Sequence, residues 1–382
     1  MKQCEKWIIF LITISVKITG LFIMVEVRKW TITIFIISTV FLVVYIPFIQ
    51  LNYFEKGFQT SVKMFLQTRN LSAHAQKNND SAIQNQHNIS KGTVSANITQ
   101  KKEDVRKKRC ENCFPHDFRY VINNELICKK NNSNQIIDLF IMVITQAKNV
   151  QARDAIRKSW LTFSKTNTAN VRYAFLVGAI KSEKDQSSLT KEANSYHDII
   201  QEDFVDVYMN LTYKTVMGFK YAATMCPHAR FVLKADDDMY INIPNLLAYL
   251  NSSAQDLQNK ITGSCSKSAR PIRNSKSKWY ASERSYKEKQ YPGFCSGTAY
   301  ATSMNVVKKI YNISYTVPFF HLEDIYVSLC LRLIGGSVLH KSGFHIDRPK
   351  FEACLYKGNK LFTAHSMTPD MIRNIWKAKC KK

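Results

Sequence analysis

The sequence predicts an α/β fold built on a mainly parallel sheet. From residue 136 onward, apolar runs of strand length alternate with helical stretches, as in a sheet covered on both faces. The run Phe231-Val232-Leu233-Lys234-Ala235 then ends in three consecutive aspartates, Asp236-Asp237-Asp238. A buried strand that stops in carboxylates marks the crevice where open α/β sheets bind ligands. Three adjacent carboxylates repel one another and resist burial, so a cation stabilises them. Oxygen donors of this kind suit Mg²⁺ or Mn²⁺, whose remaining shell is filled by water and substrate phosphates. Asp-rich triplets also occur in solvated turns and at helix N-termini. Here, however, Met239-Tyr240-Ile241 follows, so apolar residues stand on both sides.

Residues 1–29 read as a cytosolic tail ahead of a membrane span. Trp30 to Ile49 carries no charge over twenty residues, enough at about 1.5 Å per residue to cross a roughly 30 Å hydrocarbon core. Arg28 and Lys29 precede it, and the positive-inside rule then makes it a signal anchor with a single-pass type II topology. A second apolar stretch over residues 7–25 is the weaker span, because Lys17 interrupts it at about 2.5 to 3.5 kcal/mol on insertion scales. Met24 opens a tail long enough for the same topology. The rival, a cleaved signal peptide, lacks a small-residue cleavage site after Ile49.

Residues 50–134 are rich in Asn, Gln, Lys and Ser and read as an exposed stem ahead of a domain over 135–382. Candidate N-glycosylation sites stand in the stem at Asn70, Asn79, Asn88, Asn97 and Asn131, and in the domain at Asn210, Asn251 and Asn312. Nine of the ten cysteines follow the span, which suits an oxidising compartment, and an odd number leaves at least one outside intrachain pairs. Cys110-x-x-Cys113 has the form of half a zinc knuckle, but no second pair has the right spacing. The net charge of +25 raises a nucleic-acid reading. Much of that excess lies in the stem or is scattered, and no aromatic and basic alternation stands out. On the far side of a membrane, such charge serves solubility, attraction to acidic surfaces or a field for anionic nucleotide sugars.

Within the domain, Ile136 to Ile144 predicts the first buried strand, and Val150 to Trp160 a helix with Val150, Ile156 and Trp160 inward. Arg153 and Arg157 are four apart on that helix and either clamp a diphosphate or pair with carboxylates such as Asp154. Strands over Val171 to Gly178 and at Ile199-Ile200 follow, then a helix over Leu211 to Ala223 capped by Asn210. A glycine-rich dinucleotide fingerprint and a Walker loop are absent, against hydride transfer and ATP hydrolysis. Small residues after Tyr291-Pro292-Gly293-Phe294-Cys295-Ser296-Gly297 permit close approach of backbone to a ligand. Glu323 and Asp324 open a further helix through Leu333, where carboxylates commonly act as caps.

These segments together resemble the β-1,3-galactosyltransferase family (glycosyltransferase family 31), which also contains β-1,3-N-acetylglucosaminyltransferases. The resemblance rests on Arg153-Asp-Ala-Ile-Arg157-Lys-Ser-Trp160, Phe175-Leu-Val-Gly178, Glu202-Asp-Phe-Val-Asp206, Asn210-Leu-Thr-Tyr-Lys-Thr215, Lys234-Ala-Asp-Asp-Asp238, Tyr291 to Gly297, Glu323-Asp-Ile-Tyr326 and His365-x-x-x-Pro369, in order over residues 136–377. It implies a GT-A fold, Rossmann-like around the nucleotide sugar, in a type II Golgi membrane enzyme with a luminal catalytic domain. It also implies Mn²⁺ (or Mg²⁺) held by Asp236, Asp238 and His365, and donor contacts from Arg153, Arg157, Lys234 and Asp237. Gly297 and Glu323 fall beside the acceptor and donor, and Asp324 takes the place of the catalytic base. The implied partners are a UDP-sugar donor, a glycan acceptor on protein or lipid, and the Golgi membrane, with no nucleic acid. Ser328 and Ala299 stand where the family commonly has glycine, near the implied acceptor side. UDP-galactose is the favoured donor. A UDP-N-acetylglucosamine donor is the close alternative, and an inactive membrane-anchored glycan-binding paralogue the alternative from another class.

Overall fold

A computed structural model describes residues 107–380, apart from residues 131, 133 and 134. The expected membrane span over 30–49, the weaker stretch over 7–25 and the sequons at Asn70, Asn79, Asn88, Asn97 and Asn131 lie outside the described residues. Among the described residues no helix is long and apolar enough to cross a membrane.

The chain alternates strand and helix as the apolar pattern predicts. In order come β1 (Tyr120–Ile122), β2 (Ile137–Ile144), α1 (Val150–Arg157), β3 (Val171–Ala179), α2 (Glu183–Tyr196), β4 (Ile199–Val205), α3 (Leu211–Met225), β5 (Ala229–Asp236), β6 (Tyr240–Ile241) and α4 (Ile243–Ser252). Then follow β7 (Lys260–Ser266), β8 (Phe294–Ser303), α5 (Met304–Ser314), α6 (Glu323–Leu333), β9 (Ser337–His340), α7 (Ala353–Lys357), β10 (Thr363–Ala364) and α8 (Pro369–Lys377). The main sheet has the order β1-β4-β3-β2-β5-β8-β7-β9. Strands β4, β3, β2 and β5 run parallel, while β8 is inserted antiparallel between β5 and β7. The result is a mixed α/β sheet, mainly parallel as the apolar pattern predicts.

Strand β2 explains the two-faced core. Phe140, Met142 and Ile144 pack with α3, α5 and α6 on one face, and Leu139, Ile141 and Val143 pack with α1, α4 and α8 on the other. Helix α3 lies so close to the sheet that a Cβ at Gly218 would meet Leu176 at 2.6 Å and Met142 at 2.7 Å. Val150, expected inward, is exposed, because α1 ends at Arg157 and a 3₁₀ turn over Trp160–Ser164 carries Trp160 into the core instead. Asn210 does not cap α3 with its side chain; its amide donates to the Val205 carbonyl.

The folded domain begins earlier than residue 135. Phe114, His116, Ile127 and Cys128 are buried, and β1 pairs antiparallel with β4, so residues 114–128, expected as the end of the stem, contribute to the sheet and core. Disulfides join Cys110 to Cys113, Cys128 to Cys226, Cys265 to Cys295 and Cys354 to Cys380. Cys330 is buried in α6 outside these pairs. The first pair gives Cys110 and Cys113 a disulfide rather than a metal.

The Cys128–Cys226 bond closes a sequence separation of 98 residues, the kind of long loop for which chain entropy predicts about 4 to 5 kcal/mol. Replacing both cysteines by serine should lower the urea midpoint by roughly 2 to 5 kcal/mol of stability, a loss far above that from Cys110→Ser with Cys113→Ser.

Candidate active site

The carboxylates gather at the C-terminal end of β5, where sequence placed them. Asp236 closes the strand, and a turn carries Asp237 and Asp238 toward β6. Strand β6 pairs with β10, Tyr240 opposite Ala364, and the Met367 amide donates to the Asp238 carbonyl. That pairing brings His365 from the far end of the chain to Asp238, with its Nε2 3.1 Å from Asp238 Oδ2. Asp236, Asp238 and His365 each offer a ligand atom, all within 4.8 Å of one another. The Ile346 carbonyl lies 3.0 Å from His365 Nδ1; accepting a proton there fixes the tautomer that leaves Nε2 a lone pair for a cation. The hydrogen bond that a protonated His365 donates to Asp238 raises its pKa, and a bound cation would take the place of that proton.

The middle aspartate faces inward. Asp237 Oδ2 accepts from Thr145 Oγ1 at 2.5 Å and from Asn149 Nδ2 at 2.8 Å. Through that oxygen it holds the loop between β2 and α1. Burial raises its pKa even though those two donors oppose the shift.

Arg153 and Arg157 correct the diphosphate-clamp expectation. Arg153 is fully buried, bonded to Glu192 at 2.6 Å and to the carbonyls of Gln146 and Ala147. Arg157 pairs with Glu192 and Asp198, both at 2.7 Å, and lies over Tyr196. Their donors are turned to carboxylates of α2 and of the turn after it, not to Asp154 and not to the crevice. Their service to a donor is indirect, through the β2 to α1 loop they brace. Lys214 braces the same loop from α3, donating to the Thr145 carbonyl and to Asp206, each at 2.6 Å.

Lys234 is likewise internal, only 5% exposed. It donates to Asp236 at 2.5 Å and to the Gly297 carbonyl, and stands 4.0 Å from Glu323. Burial works against its charge, but Asp236 and Glu323 outweigh it and hold the pKa above the ordinary lysine range. Lys234 thus ties β5 to β8 and α6 and is not a free contact for the donor. Glu323 is buried too, accepting from Tyr300 at 2.5 Å, and burial pushes its carboxyl up to about 7.

Asp324, the next residue, takes the opposite orientation. Its Oδ1 accepts from the Ile325 amide at 2.9 Å, while Oδ2 lies 3.8 Å from where a Cβ at Gly297 would stand. A Cβ there would be in ordinary contact with Asp324 and would press on Glu323 Oε2 at 3.1 Å. Burial raises the Asp324 pKa, opposed by the backbone amides. Ser328 and Ala299, expected beside the acceptor, are both buried: Ala299 pairs with Ala235 inside the sheet and Ser328 lies within α6. They act on the site through packing.

Tyr208 is a residue the sequence gave no reason to single out. It is 43% exposed in a 3₁₀ turn after β4. Burial, then the charges of Asp324, Asp236 and Glu323, raise its phenol pKa, so it stands within electrostatic reach of both the aspartate cluster and Asp324.

The Lys234 geometry makes a stability prediction with a definite sign. Glu323 has a folded pKa above its unfolded one, so the stability linked to its proton is present at low pH and is lost as pH rises through about 7. Lys234→Met leaves Glu323 without its cation. The variant should lose about 3 kcal/mol or more near pH 8 and distinctly less near pH 6, where Glu323 can remain protonated. Equal losses in urea unfolding at both pH values would show that Lys234 does not compensate Glu323.

The family model described as Galactosyltransferase matches residues 151–341. Beta-1,3-galactosyltransferase 1 of Homo sapiens is 36% identical over 263 residues, 69% of this chain and 78% of that protein. Beta-1,3-galactosyltransferase 2 of Homo sapiens is 33% identical over 267 residues, 68% of this chain and 62% of that protein. Among solved structures, the galactosyltransferase LgtC with donor and acceptor sugar analogues aligns at a TM-score of 0.34 and 13% identity, over 60% of this chain and 87% of that one, too distant to carry weight. By the family model and these relatives, the chain belongs to the galactosyltransferase family, glycosyltransferase family 31.

Proposed function

We propose that the protein is a metal-dependent inverting β-1,3-galactosyltransferase, moving galactose from UDP-galactose to a hydroxyl of a glycan acceptor on protein or lipid. The observation that carries this reading is the convergence of Asp236, Asp238 and His365 in one ligand sphere, beside Asp324, in a family whose matched relatives bear that name.

Two carboxylates and an imidazole with a fixed tautomer fit Mn²⁺ or Mg²⁺. When bound, the ion supplies Lewis-acid stabilisation of charge on a departing diphosphate. The chain's own residues do the rest. Thr145, Asn149 and Asp237 hold the β2 to α1 loop at the donor end of the crevice. Asp324 takes the proton from the acceptor hydroxyl as that oxygen attacks the anomeric carbon, and burial makes it a stronger base than an exposed aspartate. A single in-line displacement turns an α-linked donor into a β product, with no covalent intermediate on the enzyme.

The same proposal places the chain in the Golgi membrane through residues 30–49, with its catalytic domain luminal. Four disulfides among the described residues support an oxidising compartment. Asn251 and Asn312 are exposed as glycosylation requires, whereas Asn210 is half-buried with its amide engaged.

UDP release by the full-length chain tests the reading, with Mn²⁺, a panel of UDP-sugars, and β-galactoside and N-acetylhexosamine acceptors. Acceptor-stimulated, EDTA-sensitive release from UDP-galactose is expected. Preference for UDP-N-acetylglucosamine would replace the donor assignment, and no release from folded protein would favour a glycan-binding role.

Asp324→Asn should lower turnover by about 10² to 10⁴-fold while UDP binding persists; unchanged turnover would remove Asp324 as base. His365→Ala should raise the Mn²⁺ concentration for half-maximal binding by about tenfold or more, read by electron paramagnetic resonance of the free ion.

A further inference from the structure

The connection from Lys267 to Gly293 between β7 and β8, which contains no helix, builds a basic groove that the catalytic reading does not use. One end is a cavity of about 530 Å³ with Val317, Leu329 and the Tyr286 ring in its wall and Lys107, Lys108 and Arg332 at its margin. Lys287 and Lys289 join it to a second hollow of about 1010 Å³, which Arg270 and Arg273 line. Seven basic residues thus face two carboxylates, Glu283 and Glu288.

Both carboxylates are already engaged. Glu288 lies between Lys108 at 3.5 Å and Arg332 at 3.7 Å, and Glu283 lies 3.6 Å from Arg273. Lys287, Lys289 and Arg270 are exposed, with no acidic partner among the described residues. The groove is also firmly built. Arg273 bonds the carbonyls of Ala281, Tyr286 and Glu288, and Tyr286 packs on Tyr291 and Phe320. A loop held this way keeps its cations in place without a ligand, so binding need not order it.

The groove is separate from the aspartate cluster but shares a helix with the candidate base. Arg332 follows Asp324 by eight residues on α6, ~12 Å along the axis at ~1.5 Å per residue. A flat bilayer meets a convex basic surface more readily than a recess with an apolar wall. A narrow chain bearing repeated negative charge fits a recess of this length and sign.

We propose that this groove is a binding site for a polyanionic glycan, a chain carrying sulfate or carboxylate groups, that holds the enzyme on anionic carbohydrate outside the catalytic crevice. The sugar faces meet the apolar wall while sulfates or carboxylates meet Lys287, Lys289 and Arg270, whose charge is long-range and screened by salt.

The test uses the full-length protein and a fluorescently labelled heparin oligosaccharide, with neutral dextran and phosphatidylserine vesicles as competitors. Lys287→Glu with Lys289→Glu should weaken oligosaccharide binding by about tenfold or more, with thermal midpoint and transfer to a small neutral acceptor unchanged. The control, Lys184→Glu with Lys191→Glu on α2, changes net charge equally and should cost less than about twofold. Failure of the wild type to bind the oligosaccharide, or equal losses in the two double variants, would overturn the proposal. Displacement of the oligosaccharide by the vesicles at lower concentration than by unlabelled heparin would overturn it in favour of a membrane surface. None of these readouts depends on which sugar the catalytic site transfers.

Discussion

The repulsion among Asp236, Asp237 and Asp238 is the constraint around which the domain is arranged. Two like charges about 4 Å apart cost on the order of 4 kcal/mol at the effective dielectric of a protein surface, and here there are three in a row. The fold separates them by direction. Asp236 turns down to Lys234, Asp237 sideways to Thr145 and Asn149, and Asp238 across to His365. Each partner comes from a different part of the chain: β5 itself, the end of β2 with its following loop, and the strand pairing near the C-terminus. Asp236 and Asp238 keep oxygens toward the opening, and the middle residue becomes structural. The elements that relieve the repulsion are those that shape the crevice.

Behind that crevice lies a layer of buried charge whose value is positional. Arg153, Arg157, Glu192 and Asp198 exchange hydrogen bonds of 2.6 to 2.8 Å within the protein. Desolvating such a set offsets much of its Coulombic gain, so it is weak evidence of added stability. What it does fix is geometry. Arg153 holds the carbonyls of Gln146 and Ala147, and the same loop supplies the hydroxyl and amide that orient Asp237. Loss of one charge would leave its partner uncompensated, which makes the network resistant to piecemeal change.

Much of this was legible in the sequence, and the failures have physical causes. The parallel strands, the helix at Glu323 and the end of β5 follow from runs of apolar residues and the carboxylates that stop them. His365 was placed by resemblance alone, because the β6 to β10 pairing that delivers it is four residues in all and has no periodicity to read. The arginines misled because helical spacing puts two side chains on one face without saying which neighbour that face meets; Glu192 lies on α2, beyond an intervening strand. Lys234 was placed as a donor contact by resemblance alone. Its partners, Asp236, the Gly297 carbonyl and Glu323, lie on β5, β8 and α6, and two of them are distant in sequence. The start of the domain was placed late because the apolar residues between 110 and 130 fall in short pieces without a clear period, and their burial depends on β4, α3 and a disulfide.

Glu323 and Asp324 show how adjacent carboxylates acquire opposite duties from a helix terminus. Consecutive residues in the first turn point about 100° apart, so one can face the core while the next faces the crevice. Glu323 reaches inward to Tyr300 and Lys234, and burial raises its pKa to about 7. Asp324 is also raised by burial, yet backbone amides at the helix start favour its ionised form. The outcome is a carboxylate held beside a strand glycine, on which burial and backbone amides act in opposite directions. A Cβ at 297 would lie 3.1 Å from Glu323 Oε2 but only in ordinary contact with Asp324, at 3.7 and 3.8 Å. A side chain there would press first on Glu323, and through Lys234, 4.0 Å from it, on the seam where β5, β8 and α6 meet.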